Sequence, residues 1–320
     1  MLRASSVTTT PMRIAAFDCG TNAIRLLIAD VCVGSEDPIR DVVRDMRIVR
    51  LGEGVDRTGE FSPAALTRLF AALTEFREVM DEAAPDLVRF VATSASRDVS
   101  NRAAFASGVE RLVGVAPEVI SGREEAELSF LGAVIGLPHL PVPPLVFDIG
   151  GGSTEFILGG PDGQPAASTS VDIGCVRLSE RHLHSDPATA TEIAAVRADA
   201  REAIDRAAVS VPIRSAACLV GLSGTMTTVA AIAHDLLAYD AAAIHGLVVT
   251  RAQVNDIVEG LLGMTAAERA AMPVMHPGRV EVIGAGALIL QEIMTAADAP
   301  AVLASEADLL DGIAFRLAGG

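Results

Sequence analysis

Apolar positions along this chain fall into two rhythms. Residues 13–33 read RIAAFD, CGTN, AIRLLIADV, two apolar runs around a Gly-containing turn, which predicts a pair of strands. A third strand is expected at about 46–51. Ser62-Pro63 then opens a helix, with serine as the cap and proline at the first helical position. Leu66, Leu69, Phe70, Leu73 and Phe76 keep its helical spacing. A strand over 87–95, a short helix led by Asn101, a strand around 117–120 and a helix from Ser121 follow. Strands alternating with helices indicate an α/β architecture.

After the Pro-rich stretch LPHLPVPP the pattern starts again. LVFDIGGGSTEFILGG is strand, Gly turn, strand, so Phe147-Asp148-x-Gly150 echoes Phe17-Asp18-x-Gly20 130 residues later. A period of that length means a duplicated domain and not a solenoid. A helix-rich middle at 186–208 leads to another strand and Gly turn, CLVGLSGTMTT. A helix around 284–294, a short strand and a last helix from Ser305 complete the reading.

Length and composition narrow what such a chain can be. Its 320 residues are comfortable for two domains, and 50% hydrophobic residues supply a large core. With no Trp and a single Tyr, that core is built from Ala, Val, Leu and Ile, which suits helices on buried parallel strands. The net charge of −16 excludes a general nucleic-acid face, and an anionic substrate must be held by local Arg, backbone N–H groups or a metal. Four dispersed cysteines suggest reduced thiols and a cytoplasmic protein. The polar start MLRASSVTTTPMR reads as a loose tail, and no run is long enough to span a membrane.

A strand that ends in Asp before small residues exposes successive N–H groups as a nest for phosphate oxygens. The preceding carboxylate stands where Mg²⁺ bridges protein and phosphate. Two matched turns and a third Gly-Thr turn make phosphate the expected ligand. The helix from Ser121 adds Glu124 and Glu125, which point about 100° apart. Ser121-Gly-Arg-Glu124 fits a reciprocal capping box, which accounts for Glu124 and leaves Glu125 without a structural reason.

Asp18-x-Gly-Thr-Asn-x-x-Arg25, Ser121-Gly-x-Glu-Glu-Ala126, Asp148-Ile-Gly-Gly-Gly-Ser-Thr-Glu155 and Gly221-Leu-Ser-Gly-Thr225 resemble the exopolyphosphatase / guanosine pentaphosphate phosphatase (Ppx/GppA) family, over about residues 14–315. The resemblance implies two ribonuclease-H-like (actin-like ATPase) domains facing across a cleft. Their expected spans are 1–125 and 126–304, with the helix of 305–320 packing back on the first. It implies hydrolysis of a terminal phosphoanhydride with Mg²⁺ or Mn²⁺. The substrate would be inorganic polyphosphate, or guanosine pentaphosphate (with tetraphosphate as product), and the chain a homodimer. Longer members carry further helical domains, so short polyphosphate is the expected substrate here.

Glu125 is then the general base and Asp148 a second catalytic carboxylate. Asp18, Asp148 and Glu155 are the metal candidates. Gly20, Thr21, Asn22, Arg25, Ser94, Arg97, Gly150, Gly151, Gly152, Ser153, Thr154, Gly224 and Thr225 are the phosphate-binding candidates. Arg123 guides the chain in or decorates the helix surface. The six histidines lack zinc spacing, and neither a P-loop nor Gly-x-Ser-x-Gly occurs. An ATP-dependent transferase and a non-catalytic guanosine tetraphosphate or polyphosphate sensor are the competing classes. No aromatic stack for a nucleoside is apparent.

Overall fold

A computed structural model describes residues 10–35, 38–97, 99–137, 139–161 and 163–320. Most of the expected N-terminal tail lies outside them. The first half runs β1 (Met12–Cys19), β2 (Ala23–Val31), β3 (Ile39–Ile48), α1 (Val55–Thr58), α2 (Pro63–Ala83), β4 (Leu87–Ala92), α3 (Ser94–Arg97), α4 (Arg102–Val113), β5 (Glu118–Val119) and α5 (Gly122–Gly136). The second runs β6 (Pro144–Ile149), β7 (Thr154–Gly159), β8 (Pro165–Val171), α6 (Cys175–His182), α7 (Ala190–Ser210), β9 (Cys218–Leu222), α8 (Ser223–Ala233), α9 (Ala241–Ile244), β10 (Val248–Thr250), α10 (Arg251–Gly263), α11 (Ala266–Ala270), α12 (Ile283–Ala296), β11 (Ala301–Ala304) and α13 (Leu309–Leu317).

The strands form two mixed sheets, ordered β3-β2-β1-β4-β5 and β10-β11-β9-β6-β7-β8. In each, an antiparallel three-strand meander is joined edge-on by a parallel strand, β4 on β1 and β9 on β6. The internal echo in the sequence is therefore a repeat of topology and register. Asp18 stands opposite Arg25, and Asp148 opposite Glu155.

Several expected boundaries move. The third strand occupies Ile39–Ile48 and not 46–51, because the amides of Val49 and Arg50 turn to the carbonyl of Asn22. The strand from Leu87 stops at Ala92, and Ser94–Arg97 is one helical turn. Ser223 opens α8 directly, so the third Gly turn is a helix start. The last helix begins at Leu309 with Asp308 as its cap, not at Ser305. Ser62 caps α2 as expected, its hydroxyl accepting from Ala65 N–H.

Two helices pack across from the sheet they follow. The β5–α5 segment leaves the first sheet, and α5 buries Ala126, Phe130 and Ala133 against Val146, Ile157 and Val220 of the second. The β11–α13 segment leaves the second sheet, and α13 buries Leu310, Ile313 and Ala314 against Ile14, Ala16, Leu27 and Val91 of the first. The two helices cross backbone to backbone. A Cβ on Gly132 would fall 1.8 Å from the Asp308 carbonyl oxygen, and one on Gly312 would fall 1.9 Å from that of Leu128. Only glycine permits such an approach. Among the described residues no helix is long and apolar enough to cross a membrane.

Candidate active site

The ends of β1, β4, β6 and β9 open on one cleft between the sheets, a cavity of about 130 Å³. Asp18, Gly20, Thr21, Asn22 and Arg25 line it from the first domain, and Asp148, Gly150, Gly151 and Ser153 from the second. Ser94, Glu125, Gly224 and Thr225 complete the set of predicted residues brought together there.

Both turns hide their carbonyls. The oxygens of Thr21 and Asn22 accept from the amides of Gly52, Val49 and Arg50, while those of Gly150 and Gly151 accept from the first amides of α6. The amides of Thr21, Asn22 and Gly151, which line the cavity, make no hydrogen bond within the described residues. Oxygens turned outward leave N–H groups for an anion, as a phosphate nest requires. The turns also touch. A Cβ at Gly151 would lie 2.8 Å from Thr21 Cβ, so the seam between domains closes the floor of the cleft. The first turns of α8 and α12 reach it as well, through Ser223, Gly224 and Ile283, and their dipoles favour negative charge.

Glu124 and Glu125 divide as their 100° separation requires. Glu124 points outward to Arg89 at 3.1 Å, so the capping box is only half made: Ser121 Oγ accepts from Glu124 N–H, but Glu124 does not reach back. Glu125 is buried, lines the cleft and is ion-paired to Arg97. Burial first, then the neighbouring Glu155 carboxylate, hold its pKa well above the ordinary range, and Arg97 opposes them. Asp148 is likewise pushed up to about 6, chiefly by burial, against the pull of Arg25 and the Ser223 hydroxyl.

Other predicted residues take different posts. Arg97 is not among the residues lining the cleft: it donates to the Ile120 carbonyl and to Glu125, and so holds the Glu125 carboxylate. Arg25 is taken by Asp18 and Asp308. Thr154 is wholly buried and donates to the Ile173 carbonyl, and Gly152 packs against Thr21 and Ser94, so neither faces the cavity. Glu155 lies behind the cleft lining and accepts from Ser170, and burial and Asp148 raise its pKa. Arg123 is a surface residue paired with Glu127. The trio Asp18, Asp148 and Glu155 is not gathered as one metal site. Among the described residues no group of three or more His, Cys, Asp or Glu is placed to hold an ion.

Sequence reasoning missed Arg279, Ser223, Thr93 and Cys175, which also line the cavity. Arg279 donates to Thr228 and lies 5.8 Å from the Tyr239 ring centroid, with no carboxylate ion pair among the described residues. A lone Arg in Pro-Gly-Arg carries no local signal; only its place before α12, whose N-terminus opens on the cleft, marks it.

The sequence pattern of the Ppx/GppA phosphatase family matches residues 27–319. The chain belongs to that family. It is 49% identical to Exopolyphosphatase 2 of Mycobacterium tuberculosis, over 96% of this chain and 99% of that one. An exopolyphosphatase structure from Cytophaga hutchinsonii superposes with a TM-score of 0.85 at 28% identity, covering 97% and 98% of the two chains. The Ppx/GppA family structure from Aquifex aeolicus gives 0.79 at 27% identity, covering 96% and 97%. The fold is thus the family's two-domain, actin-like α/β architecture.

Proposed function

We propose that this chain is an exopolyphosphatase that removes the terminal phosphate of inorganic polyphosphate. The observation that carries this reading is the buried Glu125 facing two nests of free amides in one cleft. The likeness to a relative named Exopolyphosphatase 2 supports it. The terminal phosphoryl group sits between the turns, its oxygens on backbone N–H groups and on Arg279. Glu125, held by Arg97, takes the proton of a water aligned for in-line attack. Its raised pKa makes it a stronger base than a solvated carboxylate.

Mg²⁺ or Mn²⁺ fits two of the three expected carboxylates. Asp18 Oδ1 is buried without a hydrogen-bond partner, an oxygen suited to a hard cation, and Asp148 lines the same cavity. Mg²⁺ is satisfied by such a pair because waters and substrate phosphates complete its shell. When bound, the ion neutralises charge on the phosphoryl oxygens.

Short chains suit the surroundings. Beside the cleft, the groove at Asn22 and Val282 carries Glu53, Glu180, Asp186 and Glu281 against Arg50 and Arg269. A long polyanion laid there meets net negative charge. One feature favours a second substrate, guanosine pentaphosphate. The chamber on the other side holds Tyr239, Met275 and Pro273 beside Arg279, an aromatic and apolar surface that the sequence did not reveal.

Phosphate release from short and long polyphosphate, guanosine pentaphosphate and ATP, with Mg²⁺ or Mn²⁺, tests both. Short polyphosphate should be cleaved fastest, and Glu125→Gln should lower kcat by about 10²–10⁴-fold. Wild-type protein that releases nothing from any of the four ends the proposal.

A further inference from the structure

Arg25 is gripped from two sides. Its Nε and Nη2 both donate to Asp18 Oδ2, at 2.8 and 2.6 Å, and its Nη1 donates to Asp308 Oδ2. An arginine meeting a lone carboxylate ordinarily sets its fork on both oxygens. Here both prongs fall on one oxygen, and Asp18 Oδ1 is left buried and unpartnered.

Asp308 is firmly held. It is 4% exposed; its Oδ1 accepts from Leu310 N–H at 3.0 Å. Its own N–H donates to Asp311 Oδ2 at 2.8 Å, and Asp311 is paired with Arg44 at 2.6 Å. The grip is supplied by the segment that leaves the second sheet, 283 residues along the chain from Arg25.

We infer that Asp308 is the positioning residue of the cleft: by holding Arg25 it keeps that cation off the substrate and keeps one oxygen of Asp18 open. The inference rests on the cleft being the place where phosphate is bound and released. Two carboxylates on one guanidinium leave a net negative group at the edge of a phosphate site. That group weakens the hold on the product. Without the Asp308 carboxylate, Arg25 is free to fork across both oxygens of Asp18 or to swing onto phosphate. Either movement retains the anion and spoils the geometry of attack.

Asp308→Asn and Asp308→Ser separate this role from helix capping, because Asn and Ser both cap well while lacking the charge. Binding of inorganic phosphate should be measured by calorimetry with Mg²⁺ present, beside turnover of short polyphosphate. Phosphate should bind about fivefold tighter, the size of a screened unit charge a few ångströms away. At the same time kcat should fall about tenfold through misplacement of the reacting groups. Unchanged or weaker phosphate binding in both folded variants overturns the inference, whatever happens to kcat. Wild-type protein without turnover sinks the exopolyphosphatase reading alone, since the binding comparison needs no reaction.

Discussion

The two Asp-Gly turns are built to one plan and paired to opposite effect. Each begins with an Asp at a strand end and pairs it, in register, with the residue seven positions later. In the first domain that partner is Arg25; in the second it is Glu155. The first turn is thus tied down by an ion pair, and burial raises Asp18 only against the pull of Arg25. In the second turn the cross-strand partner is another carboxylate, and burial raises Asp148 to about 6 against the pull of Arg25 and the Ser223 hydroxyl. The same geometry occurs twice, and what differs is the cross-strand partner, an arginine opposite Asp18 and a glutamate opposite Asp148. Every cation available in this cleft is an arginine, since the chain contains no lysine.

Replacing each Asp in turn is the sharpest test of that difference. On the proposed metal site, Asp148→Asn should lower kcat by about 10²-fold or more and Asp18→Asn by about tenfold, since Asp18 offers the ion one oxygen while Arg25 holds the other. Steady-state kinetics at saturating Mn²⁺ decide it, and equal losses would erase the distinction. The seam between the turns comes next. Gly151→Ala places a methyl 2.8 Å from Thr21 Cβ. It should destabilise by about 1–3 kcal/mol, read from urea unfolding.

Smaller effects concern protons. Asp148 has a folded pKa raised from 3.8 to about 6, so its burial disfavours the charged form. Stability tied to its protonated state is fully present below pH 4 and is lost as pH rises through about 6. Metal-free protein should therefore melt higher near pH 5 than at pH 7.5, and added Mg²⁺ should close the gap. Last, Glu155→Gln removes the like charge that raises Glu125. The acid limb of the kcat/KM profile should move to lower pH, and a move the other way would show that Glu155 does not raise Glu125.

Local pattern carried much of this molecule. Asp18, Asp148 and the Gly runs announced themselves because a nest is made by consecutive residues. Glu125 emerged once the Ser121 cap had accounted for Glu124. What stayed hidden was partnership across the chain. Arg97 looks free in the sequence and is bound to Glu125; Arg25 looks like a phosphate ligand and is held by Asp308. Ion pairs between distant segments leave no periodicity, and a residue such as Arg279 acquires meaning only when α12 brings it to the cleft. Ser223 reads as part of a turn because Ser and Gly mark turns, but the helix dipole at α8 has a use there that propensity does not register.

The exchange of α5 and α13 has a consequence for how this protein could have arisen or be taken apart. Each sheet is roofed by the helix that leaves the other, so neither half owns a complete core. A fragment ending before α5 would present Ile14, Ala16, Leu27 and Val91 to water with no cover. The two repeats look like separable modules on paper, yet they are tied as a reef knot is, each strand closed by the other. A split version should regain solubility only when both pieces are made together.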